Sequence, residues 1–497
     1  DRISYSDCSF AHNNGSTCVF SVLHSQIISK EKRMKKVILS ALFLTTMAVE
    51  AQQSYVGLRE SNYSGIFPVT SNPANMISSK RSWDANIATV NFGFGNNAIK
   101  LTPNITDSFN EYTRVDTQNA IFGYNNIKAK INVDVLGPSA FVKINDQHTV
   151  GIFSRVRLLG NVRNIDAKML QSFVSDLDKL ELKTPYQVNL NDQEIVVNAF
   201  SEVGFSWSGE VYFDGTNTVK VGASAKLVQG SGNVYVGFKD FEGSATLTPD
   251  TDKDKVNLNI QSANGTLEVL NGGMDLVDFD NVKVNKLYFS SEATTLAFDL
   301  GATYEFRKDG CPRCHNNPHD LRVGISLMDL GRLQYTANKN SYRYKMPATQ
   351  STTLSLDDLS EENLKNHFDG TKATGSKLRS SLPSTFNLSA DYRVVDAFYL
   401  NLSGQVNIAS TKDKELYNAT YANELSLTPH YDTNSFGAYL PISYNQVSKA
   451  NVGIALRLGP LVLGSSTILG NVLTRSAKEF NFFFGLRFGH QSYPVDL

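Results

Sequence analysis

Hydrophobic residues fall on every second position through one segment of this chain after another, and that period constrains the fold more than any other feature. From Thr295 to Arg307, Leu296, Phe298, Leu300, Ala302, Tyr304 and Phe306 alternate with Ala297, Asp299, Gly301, Thr303 and Glu305. A period of two is that of a strand whose side chains point to opposite faces, so one face is apolar and the other polar. The same pattern runs through Val203 to Trp207, Val219 to Leu227, Leu321 to Leu327, Phe386 to Tyr392, Phe398 to Leu402, Phe436 to Tyr444, Val452 to Leu458 and Phe480 to Phe488. Segments of about 9 to 13 residues have the length that a tilted strand needs to cross a membrane.

A soluble sandwich also alternates, but its dry core rejects charge. Here the polar face carries Arg155, Arg157, Glu202, Lys220, Lys226, Asp299, Glu305, Arg322, Asp391, Arg393, Arg457 and Arg487. Such charges are expected to line the lumen of an outer-membrane barrel. A wet lumen of this kind would tolerate neutralisation of Arg322 at little cost. Backbone groups in lipid must be paired internally, so strands can cross only as a closed barrel. The start of the chain fits export. Residues 34 to 51 read as a signal peptide, with Lys35 and Lys36, an apolar run from Val37 to Val49, and small residues Val49 and Ala51 before the cleavage point. That run is shorter than the ~20 residues of a spanning helix. Residues 1 to 33 are expected to be an upstream extension, 52 to 82 an N-terminal segment, and 83 to 497 the barrel. With a net charge of −1, no nucleic-acid partner is indicated.

Fourteen strands are expected, near 84–95, 131–144, 148–160, 198–213, 218–228, 294–306, 320–328, 384–393, 397–408, 424–430, 436–445, 450–458, 461–469 and 478–488. Their connections alternate long and short, as outer-membrane barrels keep long loops outside and tight turns in the periplasm. An even count places both mature termini in the periplasm. A parity change at Gly137-Pro138 predicts a bulge there. The fold class is therefore all-β, a closed antiparallel transmembrane β-barrel of about fourteen strands.

The stretch "GIFPVTSNPANMISSKRSWDANIATVNFGFGNN" at 65 to 97 resembles the start of the barrel in the long-chain fatty-acid transporter family and in the related type IX secretion shuttle barrels. In these an N-P-A segment inside the pore precedes the first strand; the matching residues are Asn72, Pro73 and Ala74. Together with "GISLMDLGRLQY", the stretch looks most like an uncharacterised group of such barrels. The resemblance implies that residues near 54 to 82 lie in the lumen as a plug, and that a hydrophobic small molecule passes through. Gly57, Gly65, Pro68, Asn72 and Pro73 forbid a long helix or central strand there, which suits a plug.

One turn raises a separate question. "GCPRCHNNPH" at 310 to 319 holds Cys311 and Cys314 in C-x-x-C-H spacing. Haem attachment would need a pocket and a second axial ligand that a barrel turn does not offer. Zinc would need Cys311, Cys314, His315 and His319 together. A disulfide between Cys311 and Cys314 in an oxidising compartment is the plainest account, with free thiols the other alternative. No cofactor or metal is expected, and the scattered histidines and absence of a nucleophile pattern indicate no catalytic site.

Two loop segments read as helices. "DAKMLQSFVSDLDKL" at 166 to 180 has Asp166 as cap and an apolar stripe from Met169 to Leu180. It is either packed on the barrel's own rim or plug, or it is a docking helix or a lid over an apolar pocket. "LDDLSEENLKNHFDG" at 356 to 370 reads as acidic and solvated. Two roles follow for a non-enzymatic, lipid-embedded outer-membrane barrel: binding or passing a hydrophobic small molecule, or docking secreted or outer-membrane proteins.

Overall fold

The computed structural model describes residues 54–98, 126–169, 186–250, 256–274, 292–308, 319–346, 351–355, 361–411, 413, 415–474 and 477–490. The proposed extension and signal peptide (1–51) lie outside them. The wall consists of β1 (Trp83–Asn96), β2 (Asn126–Leu136 and Ser139–Asn145), β3 (His148–Asp166), β4 (Glu194–Phe213), β5 (Asn217–Pro249), β6 (Ala293–Phe306) and β7 (Leu321–Leu330). It continues with β8 (Thr385–Val395), β9 (Phe398–Asn407), β10 (Glu424–Asp432), β11 (Phe436–Tyr439 and Ile442–Asn445), β12 (Lys449–Val452 and Ile454–Leu458), β13 (Leu461–Ser465) and β14 (Glu479–His490). Each strand pairs antiparallel with the next. The ring closes where β14 pairs with β1, from His490 opposite Trp83 to Glu479 opposite Gly95. This is a closed, antiparallel barrel of 14 strands.

Alternation sets what each face buries. Along β14, Phe480, Phe482, Phe484, Leu486 and Phe488 are each 38 to 51% exposed, while Glu479, Asn481, Phe483 and Arg487 are buried. Similar exposed rows run through Val203 and Phe205, Leu296 and Phe298, and Ile325 and Leu327. An apolar belt around a closed ring would be costly in water and is at home in lipid. β2 breaks at Gly137-Pro138, where proline has no N–H for the ladder. Asn86 compensates by donating from Nδ2 to the carbonyls of Leu136 (3.0 Å) and Gly137 (2.9 Å).

The inside of the ring is packed in layers. At the end with the tight turns, Tyr55, Leu58, Ile66, Phe67 and Met76 of the N-terminal segment pack with inward side chains of the wall, including Leu136, Phe153, Tyr439 and Phe483. Burying each large apolar side chain contributes about 1.5 to 3 kcal/mol. At the loop end, a two-stranded antiparallel sheet of Arg332–Thr336 and Lys377–Ser381 packs inside the ring. Its Leu333, Tyr335 and Leu378 pack on Leu159, Val196, Phe200 and Val228 with Tyr417 and Tyr421. Above the wall, β5 runs on into a hairpin with Val256–Gly273, which is joined by Tyr342–Met346, Thr352–Ser355 and Asp369–Lys372.

Three successive strands are interrupted. β11 pauses around Pro441, β12 at Gly453, and β13 stops at Ser465. The Gly453 amide donates to the Pro441 carbonyl at 2.8 Å, and a Cβ on Gly453 would overlap the Ser465 carbonyl. Beyond these breaks the short helix α1 (Ile468–Thr474) stands in the wall where a strand would be. Asn471 ties it to β14 by donating from Nδ2 to the Glu479 carbonyl at 2.8 Å. Ile468, Val472 and Leu473 on it are exposed.

Candidate functional site

Asn72, Pro73 and Ala74 form the start of a one-turn 3-10 helix, Pro73–Asn75. Proline suits the first position because its missing N–H would have no partner there. The Asn72 Oδ1 caps the turn by accepting from the Ala74 amide (3.0 Å), while Nδ2 donates to the carbonyls of Ala302 (3.3 Å) and Ile325 (3.2 Å). One side chain thus joins the N-terminal segment to β6 and β7. The wall makes room with three inward glycines: a Cβ on Gly222 would overlap the Ala74 amide, and one on Gly301 or Gly324 would overlap the Asn72 carboxamide. On the other side the Ala74 carbonyl accepts from Ser208 Oγ at 3.0 Å.

Beside this seat, arginines hold the segment by its carbonyls. Arg322 donates to the Glu60 carbonyl (2.6 Å), and Arg487 donates to those of Tyr63 and Ser64. Asp432 accepts from Ser61 Oγ (2.6 Å) and the Asn62 amide (2.8 Å) and pairs with Arg457 at 2.9 Å. Asp391 is surrounded by Nε2 of His319 (2.8 Å), Nε2 of His430 (2.9 Å) and Arg322 (3.2 Å). Lys220 pairs with Glu305 at 2.7 Å and donates to Ser78 Oγ at 3.0 Å.

A second group of charges fills the middle of the ring. Arg155 pairs with Asp134 and reaches Glu202 at 3.5 Å. Arg157 bridges Glu202 (2.7 Å) and Asp329, and Lys226 lies between Asp299 (2.7 Å) and Asp329. These side chains are all buried. Of the charged positions picked out from alternation, only Arg393 stands apart: it is half-buried and paired with Asp320 beside a turn. Cys311 and Cys314 lie outside the described residues, and among those residues no cluster of three or more His, Cys, Asp or Glu side chains could hold a metal.

Sequence reasoning missed Asp134, Asp329, His430, Asp432 and the glycine seat. Asp134 was within reach, since it shares the parity of the buried Lys130 and Asn132. Asp329 was not, because the pairing of β7 with β6 shifts between Leu327 and Leu330 and its backbone is left-handed at φ 59°.

A feature with room for an apolar ligand lies at the loop end, outside the charge layers. An apolar cavity of about 400 Å³ lies between outward side chains of the wall, such as Val162 and Ile195, and the overhanging loop sheet, which contributes Phe238, Leu258 and Leu267. Among the described residues that line it, only Asn96 and Gln193 are polar. The short helix Glu361–His367 roofs it with Leu364 and the following Phe368. The segment expected to be merely solvated therefore buries an apolar edge. Met169 also lines the cavity, from a helical turn capped by Asp166 Oδ1, which accepts from the amides of Lys168 (2.9 Å) and Met169 (3.3 Å). The rest of that stripe lies outside the described residues.

Three solved barrels are similar in architecture. The Pseudomonas putida toluene transporter TodX is 11% identical, with a TM-score of 0.38 over 87% of this chain and 95% of that one. The Ralstonia pickettii toluene transporter TbuX is 10% identical, with a TM-score of 0.35 over 87% and 95%. A Pseudomonas aeruginosa FadL homologue is 10% identical, with a TM-score of 0.28 over 88% and 99%. No curated protein matches the sequence. A family profile matches residues 73–466, most of the chain, and by that match the protein belongs to a family of unknown function, DUF5723.

Proposed function

We propose that this protein is an outer-membrane barrel that takes up a hydrophobic small molecule at its loop end. The observation that carries this reading is the apolar cavity of about 400 Å³, a volume in the range of small-molecule sites, with two polar side chains among the described residues of its lining. In this reading the tight turns face the periplasm, the long loops face outward, and residues 54 to 82 act as a plug. The paired, buried charges across the lumen support that role, because a hydrophobic molecule gains nothing by desolvating them. Passage inward then requires the plug to move or the molecule to leave through the wall, which is interrupted in three successive strands from β11 to β13.

The test is equilibrium binding of an environment-sensitive apolar dye to the purified barrel, with displacement by aliphatic and monoaromatic hydrocarbons. Leu267→Glu places a charge in the cavity and is expected to weaken dye binding at least about tenfold, a loss of ~1.4 kcal/mol. Folding is monitored by heat-modifiable migration on gels. Undiminished binding in a folded Leu267→Glu protein would remove the cavity from the account.

A further inference from the structure

We infer that the charge layer in the middle of the ring binds one proton, on Asp299, and keeps it at neutral pH. The layer sets three cations, Arg155 and Arg157 on β3 and Lys226 on β5, against four carboxyl groups, Asp134 on β2, Glu202 on β4, Asp299 on β6 and Asp329 on β7. All of these side chains are buried. With every carboxyl ionised, the layer would hold one unbalanced negative charge away from water, a state that a buried group escapes by taking up a proton. The N-terminal segment does not supply the missing cation, because its Arg59 is paired with Glu60 at 3.7 Å.

The hydrogen bonds say which carboxyl takes the proton. Both oxygens of Asp134 accept from Arg155, Oδ1 from Nε at 2.8 Å and Oδ2 from Nη2. Both oxygens of Asp329 accept from Arg157, at 2.7 and 2.8 Å, and Lys226 shares one of them. Glu202 meets Arg155 with Oε1 at 3.5 Å and Arg157 with Oε2 at 2.7 Å. On Asp299 only Oδ1 is engaged, by Lys226 Nζ and by the Asp329 amide, each at 2.7 Å. Its Oδ2 is buried without a hydrogen-bond partner. An ionised carboxylate needs acceptor bonds at both oxygens, whereas a carboxylic acid keeps one oxygen as acceptor and carries the proton on the other. Oδ2 of Asp299 is therefore where the proton belongs. With it in place the layer has three positive and three negative charges, so no net field draws an ion of either sign into the lumen. Without it, two carboxylates would share Lys226 beside Asp329, whose left-handed backbone lies where β7 gives way to the two-stranded sheet inside the ring.

Infrared difference spectroscopy of the full barrel in detergent, grown with and without carboxyl-labelled aspartate, tests the inference. At neutral pH the unaltered barrel is expected to show a protonated aspartate band, and Asp299→Asn is expected to remove it. Urea titrations supply a second reading. Asp299→Asn puts a neutral group of the same shape in place and is expected to change the folding equilibrium less than about tenfold. Asp134→Asn leaves Arg155 without its charged partner and is expected to weaken folding about a hundredfold or more. Absence of a protonated aspartate band from the unaltered barrel overturns the inference whether or not the variants fold. A band that survives in Asp299→Asn, or an Asp299→Asn protein as unstable as Asp134→Asn, overturns it as well. So does a loss of stability when sodium is exchanged for choline that Asp299→Asn abolishes, since a metal cation would then stand in the proton's place.

Discussion

Arg157 and Asp329 meet in a two-pronged ion pair inside the ring, Nη1 to Oδ2 at 2.7 Å and Nη2 to Oδ1 at 2.8 Å, although 172 residues separate them in sequence. Both are buried, and Lys226 shares the same carboxylate. Removing one member of such a group leaves uncompensated charge, which costs about 3 to 5 kcal/mol. Asp329→Ala is therefore expected to lower the stability of the folded barrel by that amount in urea titrations. Arg157→Met combined with Asp329→Leu should cost less than Asp329→Ala alone. A loss below ~1 kcal/mol for the single variant would mean that the layer is wet.

Asn72 and Gly301 are in contact because glycine leaves no side chain in the way. Gly301→Val forces the N-terminal segment off β6. The expected result is a rise in ion conductance of the barrel in planar bilayers, with the wall still heat-modifiable. Conductance equal to that of the unaltered protein would show that residues 54 to 82 do not seal the lumen.

Neighbours on β7 should fail in different ways. Val323→Arg puts a charge on the lipid side and is expected to cost about 2 to 4 kcal/mol near the bilayer midplane, so that less barrel assembles. Arg322 was expected from sequence to sit in a wet lumen and be dispensable. Its bonds to the Glu60 carbonyl and Asp391 change that expectation. Arg322→Ala should assemble but release the N-terminal segment, read as faster proteolysis near Glu60. Normal assembly of Val323→Arg would invert the register of the strand.

His319, in the turn before β7, adds a pH dependence. Burial first, and then the nearby Arg322 guanidinium, push its pKa from 6.5 down to about 4, so the folded protein keeps the ring neutral, with Nε2 donating to Asp391. The unfolded chain binds the proton more readily between these values. The stability contributed by the neutral ring is thus present above pH 6.5 and lost as pH falls towards 4. Replacing His319 with Gln should flatten the dependence in that window in unfolding titrations. An unchanged slope would place the proton uptake on another group.

The wall was legible because it is local. Phe480 to Phe488, or Leu296 to Phe306, state their two faces in a few residues, and the turns between strands mark the ends. The interior was legible only as parity. Alternation says that Arg157 and Lys226 face inward but not that they converge on Asp329, which a register shift turns towards them. Nor does Gly222, Gly301 or Gly324 announce that Asn72 will land there, since glycine in a strand has many reasons. The cavity was hidden for a related reason. Leu364 and Phe368 sit in a charged stretch, and only the overhanging sheet built from β5 gives them something to bury against.

Occupancy of the loop-end cavity by a hydrophobic molecule can be read out by photolabelling with a diazirine-bearing hydrocarbon, with and without excess unlabelled hydrocarbon, followed by peptide mapping. Adducts are expected on Met346, Leu354 and Phe368 that disappear under competition, while labelling of the outer belt at Phe480 to Phe488 is unaffected by it. Competed labelling that falls elsewhere, or an absence of any competed adduct at these three residues, would contradict it.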